Sequence, residues 1–150
     1  MDLILWRHAE AEDGGPDLER KLTSAGRREA ARVAKWLQRR LPSKYSVVAS
    51  PARRAQETAE TLKVSFTTVA KLAPGASVEE ILTTADWPDR AKPVVVVGHQ
   101  PDLGRAASFL VSGAEANWSV KKAGLWWLAS RERAGEAQVV VRAVLDPDLV

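Results

Sequence analysis

The chain has 150 residues, 45% hydrophobic and 27% charged, with a formal net charge of +3 and a pI near 9.4. That length lets a single domain bury roughly 70% of its unfolded surface without staples, and the absence of cysteine excludes disulfides and thiolate metal sites. No segment approaches the roughly 20 apolar residues of a membrane span, and Met1 to Arg7 lacks a signal-peptide pattern, so the composition reads as that of a cytoplasmic protein.

The first apolar run, Leu3-Ile4-Leu5-Trp6, predicts a buried strand that stops at Arg7-His8. A polar, glycine-containing loop follows from Glu10 to Arg20. Thr23 or Ser24 can then cap a helix running to about Leu41, with Ala30, Val33, Ala34, Leu37 and Leu41 on one face and Pro42 as its stop. Val47-Val48-Ala49 predicts a second buried strand, and Ser50-Pro51 opens a helix through Ala55, Ala59 and Leu62. A short strand is expected near Phe66 to Val69. Ser77-Val78-Glu79-Glu80 has capping-box spacing for a small helix through Leu82. The strand Val94 to Val97 leads into a helix whose Leu103, Ala106, Ala107, Leu110 and Val111 share a face. Gly124 to Leu128 and Gln138 to Val144 read as two strands joined by a polar turn. Alternating strands and helices closed by a hairpin predict an α/β fold: a three-layer sandwich with a mostly parallel central sheet, helices on both faces and C-terminal antiparallel strands.

The chain has two histidines, and both stand where an apolar, strand-like run meets a polar loop: His8 after Trp6-Arg7, and His99 in Gly98-His99-Gln100-Pro101. Side chains just past the carboxyl ends of parallel strands converge on the crevice where α/β proteins bind ligands. A third such end, Ser50-Pro51-Ala52-Arg53-Arg54, adds arginine in the first turn of a helix. Guanidinium groups match phosphate oxygens in pairs. Arg7, His8, Arg54 and His99 therefore form a cationic or neutral group suited to a phosphoryl group. A lone histidine would read as structural, but the pairing with Arg7 and the matched His99 favour a catalytic use.

These segments, with Leu22-Thr23 and Gly26-Arg27 between them, resemble in order the signature segments of the histidine phosphatase superfamily. In spacing and shortness the chain is most similar to the SixA-like phosphohistidine phosphatases. Arg7-His8-Ala9 is an Arg-His-Gly-type motif with alanine in the third place. The resemblance implies a phosphoglycerate mutase-like fold, a single domain over 1–150 without an inserted cap, and a metal-independent phosphatase with no cofactor. His8 would be the nucleophile, Arg7 and Arg54 would hold equatorial oxygens, His99 would be a further donor, and backbone N–H groups after Gly98 would add to the set. Relatives acting on alcohol phosphates usually carry a glutamate acid, whereas Lys71 to Ser77 holds no carboxylate. That favours phosphohistidine on a protein, such as a phosphotransfer domain in signal transduction, although Glu79, Glu10 or Glu12 could swing in as acid. Sugar or nucleotide phosphates, or phosphate binding without turnover, are the alternatives.

Other features have plainer readings. Arg53 reads as a solvated neighbour of Arg54. Arg27, Arg28, Arg32, Lys35, Arg39 and Arg40 make the first helix basic, but Glu29 interrupts them and no aromatic platform accompanies them beyond Trp36. A solvated face is the reading, with an acidic partner as the remainder and no nucleic acid. Trp126 and Trp127 point to opposite faces of a strand, one in the core and one under a helix. Trp87-Pro88-Asp89 is expected at the rim of the site. Asp86, Asp89, Asp146 and Asp148 lack ligand spacing, and no metal is expected.

Overall fold

A computed structural model describes residues 1–150. Six strands form one sheet: β1 (Asp2–Arg7), β2 (Ser46–Ala49), β3 (Thr67–Thr68), β4 (Val94–Gly98), β5 (Leu125–Arg133) and β6 (Glu136–Leu145), in the order β3-β2-β4-β1-β5-β6. The first four are parallel, and β5 and β6 add antiparallel pairs. Four helices, α1 (Ser24–Gln38), α2 (Arg53–Glu60), α3 (Val78–Ala85) and α4 (Asp102–Ser112), connect them. This is the α/β architecture expected from the alternation of patterns.

Alternation along β1 sorts the core into two layers. Ile4 and Trp6 face Ala30, Val33, Ala34 and Leu37 of α1 together with Ala55 and Ala59 of α2. Leu3 and Leu5 face the other side, against Val78 and Ile81 of α3 and Leu103, Ala106 and Ala107 of α4. Val94 to Val97 divide between the same two layers, so β4 is buried on both faces, as a central parallel strand requires.

The elements depart from expectation mainly at their ends. Thr23 caps α1, its hydroxyl accepting from the Gly26 N–H at 2.9 Å. The helix closes at Gln38 rather than Leu41, and a turn continues to Leu41, whose N–H still donates to the Leu37 carbonyl ahead of Pro42; Leu41 reaches the core. α2 starts at Arg53 after a bend at Pro51-Ala52, and Ser50 does not cap it. The capping box of α3 is complete, with Ser77 accepting from the Glu80 N–H and the Glu80 side chain accepting from the Ser77 N–H. The last turn of α4 leaves Val111 at the surface, ahead of the left-handed Gly113.

β5 and β6 run further than their apolar residues suggest. They meet at Ala134-Gly135, both with positive φ, the geometry of a two-residue turn that matches strand twist. Residues 131–137 are exposed on both sides, held by backbone pairing and an Arg131–Gln138 side-chain bond, and no hydrophobic alternation marks them. Trp127 is in the core, edge-on to Trp36, while Trp126 stacks on Trp118 of the 113–124 loop and packs against the layer that holds α3 and α4. No helix is long and apolar enough to cross a membrane.

Candidate active site

β2, β4 and β1 are adjacent, and their registers bring the carboxyl ends level: Arg7 lies opposite Gly98, and Ala49 and Trp6 both lie opposite Val97. The three strand ends singled out in the sequence therefore meet. The rings of His8 and His99 are 5.1 Å apart, centre to centre. Arg7, His8, Arg54 and His99 line one cleft of about 230 Å³, together with Ala11, Asp13, Arg20, Pro74, Gln100 and Lys122.

His8 is 7% exposed and fixed by its own backbone. Its Nδ1 lies 2.7 Å from the Ala9 carbonyl, which can only accept, so the proton sits on Nδ1 and Nε2 keeps a lone pair. Arg54 Nε donates to that Nε2 at 3.2 Å. Burial pushes the ring pKa down to about 3, opposed by the Ala9 bond and reinforced by His99, Arg54 and Arg7. A neutral imidazole with an unprotonated Nε2 is the form a nucleophile needs. The loop beyond it is tied down as well. The Ala9 N–H donates to Thr58 Oγ1 of α2, whose hydroxyl donates onward to the Arg54 carbonyl.

Gly26 explains the Leu22 to Arg27 segment. A Cβ there would collide with the Glu10 carbonyl, so only glycine lets α1 press against the loop that follows His8. The Thr23 N–H donates to that same carbonyl, and the Leu22 N–H donates to Glu57.

Between the two candidate arginines the geometry is unequal. Arg54 is 4% exposed and faces both histidines, its Nη2 lying 3.5 Å from His99 Nδ1. Arg53 is exposed and pairs with Glu57. Arg7 is anchored by an Nη1 bond to the Val120 carbonyl, while its buried Nε has no partner in the fold.

His99 is set by a residue that the sequence reading passed over. Its Nε2 lies 2.7 Å from Oγ of Ser50, which is fully buried and also accepts from the Ala52 N–H. Arg54 Nη2 can only donate, so where it bonds Nδ1 at 3.5 Å the ring proton sits on Nε2 and donates to Ser50; the other neutral tautomer takes the Ser50 hydroxyl at Nε2 and carries its proton on Nδ1. Burial, with Arg54 next in size, lowers the ring pKa to about 4, so the ring is neutral near pH 7.

Several expected residues lie elsewhere. Gly98 does not line the cleft; its carbonyl accepts from the His8 N–H and so locks the two histidine-bearing ends together. Glu10 accepts from the Thr23 hydroxyl, Glu12 pairs with Lys21, and Glu79 lines a separate cleft with Val78, Leu82 and Phe109. Trp87-Pro88-Asp89 is not at the rim of the site. It precedes the amino end of β4 and lines a different cleft with the β5–β6 ribbon. The carboxylate that does line the site is Asp13, and Asp17 reaches Arg54. These, with Arg20, Lys122 and Pro74, come from loops without periodicity. Pro74 is drawn in by Asp102, whose carboxylate accepts from the Gly75 and Ala76 N–H groups. No three His, Asp or Glu side chains come together as a metal cage.

Arg27, Arg28, Arg32 and Lys35 of α1, and Arg39 and Arg40 just past its end, are all exposed. Arg27 pairs with Glu57 and Arg40 lies over the Trp36 ring, as a solvated face would.

Comparison with known proteins bears on the family and the fold. The family model of the histidine phosphatase superfamily (branch 1) matches residues 3–81, which take in Arg7, His8 and Arg54. An uncharacterized protein of Picosynechococcus sp. is 33% identical over 153 residues, covering 93% of this chain and 88% of that protein. A candidate phosphohistidine phosphatase SixA from Nakamurella multipartitia superposes with a TM-score of 0.80 at 28% identity, covering 97% of this chain and 95% of its own. A protein histidine phosphatase SixA complexed with tungstate shares the fold at a TM-score of 0.84 and 23% identity, with 99% of each chain covered. His99 lies beyond the matched segment, but the fold returns it to the same cleft. By the extent of these matches, the chain belongs to branch 1 of the histidine phosphatase superfamily.

Proposed function

We propose that this superfamily phosphatase works through a phosphohistidine at His8, and that its substrate is phosphohistidine carried on a protein. The observation that carries the mechanism is the fixed, neutral His8, whose Nε2 lone pair faces Arg54 beside His99. Nε2 attacks phosphorus in line, forming an N–P bond as the substrate's own P–N bond breaks. Arg7 and Arg54 take the equatorial oxygens, and His99 donates beside them. Water then attacks from the side opposite Nε2, releasing phosphate and restoring neutral His8. Phosphoryl transfer depends mainly on positioning and charge stabilisation, which this set supplies.

The substrate reading rests on the cleft. Asp13 is the one carboxylate that lines it, while Glu10, Glu12 and Glu79 are held elsewhere. An imidazole leaves neutral once its ring is protonated, with much less help than an alkoxide needs. Likeness to the SixA structures supports the same choice.

The test is phosphate release, without added metal, from a phosphohistidine-bearing protein domain and from an aryl phosphate side by side. Fast release from the protein with feeble aryl activity is expected. The reverse would move the substrate to small phosphate esters, with Asp13 as the carboxylate to examine.

A further inference from the structure

Arg54 has two hydrogen-bonding edges, and the fold uses them differently. At the tip of the guanidinium, Nη1 donates to the Asp17 carbonyl at 2.7 Å and Nη2 donates to the Asp17 carboxylate at 3.1 Å. Along the side, Nε donates to His8 Nε2 at 3.2 Å, and Nη2 faces His99 Nδ1 at 3.5 Å. A guanidinium is a rigid planar fork of five donors, so fixing one edge fixes the direction of the other. We propose that Asp17 is a positioning residue, which clamps the tip of Arg54 so that its side edge, Nε and Nη2, stays turned to the phosphoryl position between the two histidines. This rests on the reading of His8 as the phosphoryl acceptor.

Three features support the assignment. Asp17 divides its carboxylate oxygens, Oδ2 taking Arg54 and Oδ1 taking Arg20, so one anion braces two cations that line the cleft. Its backbone is fixed too. Asp17 opens a short 3-10 turn after Pro16, in which the Glu19 N–H donates to the Pro16 carbonyl and the Arg20 N–H donates to the Asp17 carbonyl. That carbonyl is the one bound by Arg54 Nη1, so the turn itself is docked on the guanidinium. The Arg54 bond also holds the Asp17 carboxyl below its usual range.

The opposite reading, that Asp17 competes with phosphate for Arg54, predicts effects of opposite sign. The experiment measures tungstate binding, together with kcat and KM for an aryl phosphate, in the full chain and in Asp17→Ala, Asp17→Asn, Arg54→Lys and Asp17→Ala/Arg54→Lys. Loss of a charge-assisted clamp is expected to weaken tungstate binding about tenfold in Asp17→Ala. The same variant should lower kcat/KM by roughly ten- to a hundredfold. Asp17→Asn keeps an acceptor for Nη2 and should recover part of the loss. In the Arg54→Lys background, where the ammonium has no second edge to orient, Asp17→Ala should change little.

Tighter tungstate binding or a higher kcat/KM in Asp17→Ala would overturn the proposal in favour of competition. An equal loss in the Arg54→Lys background would also overturn it, by showing a role that does not pass through Arg54. Tungstate binding is read without turnover, so it stands apart from the phosphoenzyme. Continued turnover in His8→Ala would be the failure of that reading instead.

Discussion

The two ends of the sheet carry clefts of opposite character. At the amino end, Trp87, Ser130, Gln138 and Val139 help line a cleft of about 440 Å³ that contains neither histidine. At the carboxyl end the cleft is about half that size, yet it gathers Arg7, His8, Arg54 and His99, three of them nearly buried. The difference lies in the backbone. Around the smaller cleft each loop is tied to the next, through Ala9 to Thr58, Glu10 to Thr23, Ser50 to His99 and Gly75 to Asp102. Buried polar groups persist only where such partners hold them, so the density of ties, rather than volume, marks where chemistry is done.

The largest effect expected within this contrast is at His8. His8→Ala should reduce turnover at least about a thousandfold, as loss of a nucleophile does, with circular dichroism unchanged. Arg54→Ala should follow, with a loss of roughly a hundred- to a thousandfold in kcat/KM, while Arg53→Ala stays within about threefold. Equal losses at the two positions would erase the distinction drawn from their exposure.

Thr58→Val tests the ties themselves. It removes the partner of the buried Ala9 N–H and should lower unfolding free energy by about 1–3 kcal/mol. An unchanged denaturation midpoint would show that the tie carries no weight.

Histidine titration comes next. Both rings have folded pKa values below the ordinary 6.5, about 3 for His8 and about 4 for His99. The unfolded chain therefore binds more protons between those limits, and stability rises with pH. Their contribution is fully present above about pH 6.5 and is lost as pH falls towards 4 and then 3. Ring signals in NMR should stay fixed between pH 8 and 5.5, and a titration near 6.5 would contradict this. The smallest effect belongs to the larger cleft, where Gln138→Ala should leave kcat/KM within about twofold.

Much of this was legible in the chain. Leu3 to Trp6 and Val94 to Val97 announce central strands because burial on both faces demands unbroken apolar runs, and the chemistry sits at their ends. Asp17, Arg20, Ser50 and Lys122 were not legible as site residues, because loop paths depend on contacts far away in sequence. Ser50 looked like the opening of a helix, but its hydroxyl serves His99 and the Ala52 N–H instead. Trp87 was misplaced because nearness to β4 in sequence does not say which end of the strand it meets. Three glutamates were considered as acids, and in each case other contacts or another cleft hold the side chain away.

The most direct test of the central claim is to trap the phosphoenzyme. The full chain and His8→Ala would be mixed briefly with a phosphorylated substrate, quenched in alkali and mapped by mass spectrometry. A phosphoryl group on His8 that survives alkali and is lost in acid, and is absent from the variant, is the expected result. Turnover with no label at His8, or a label stable to acid, would contradict it.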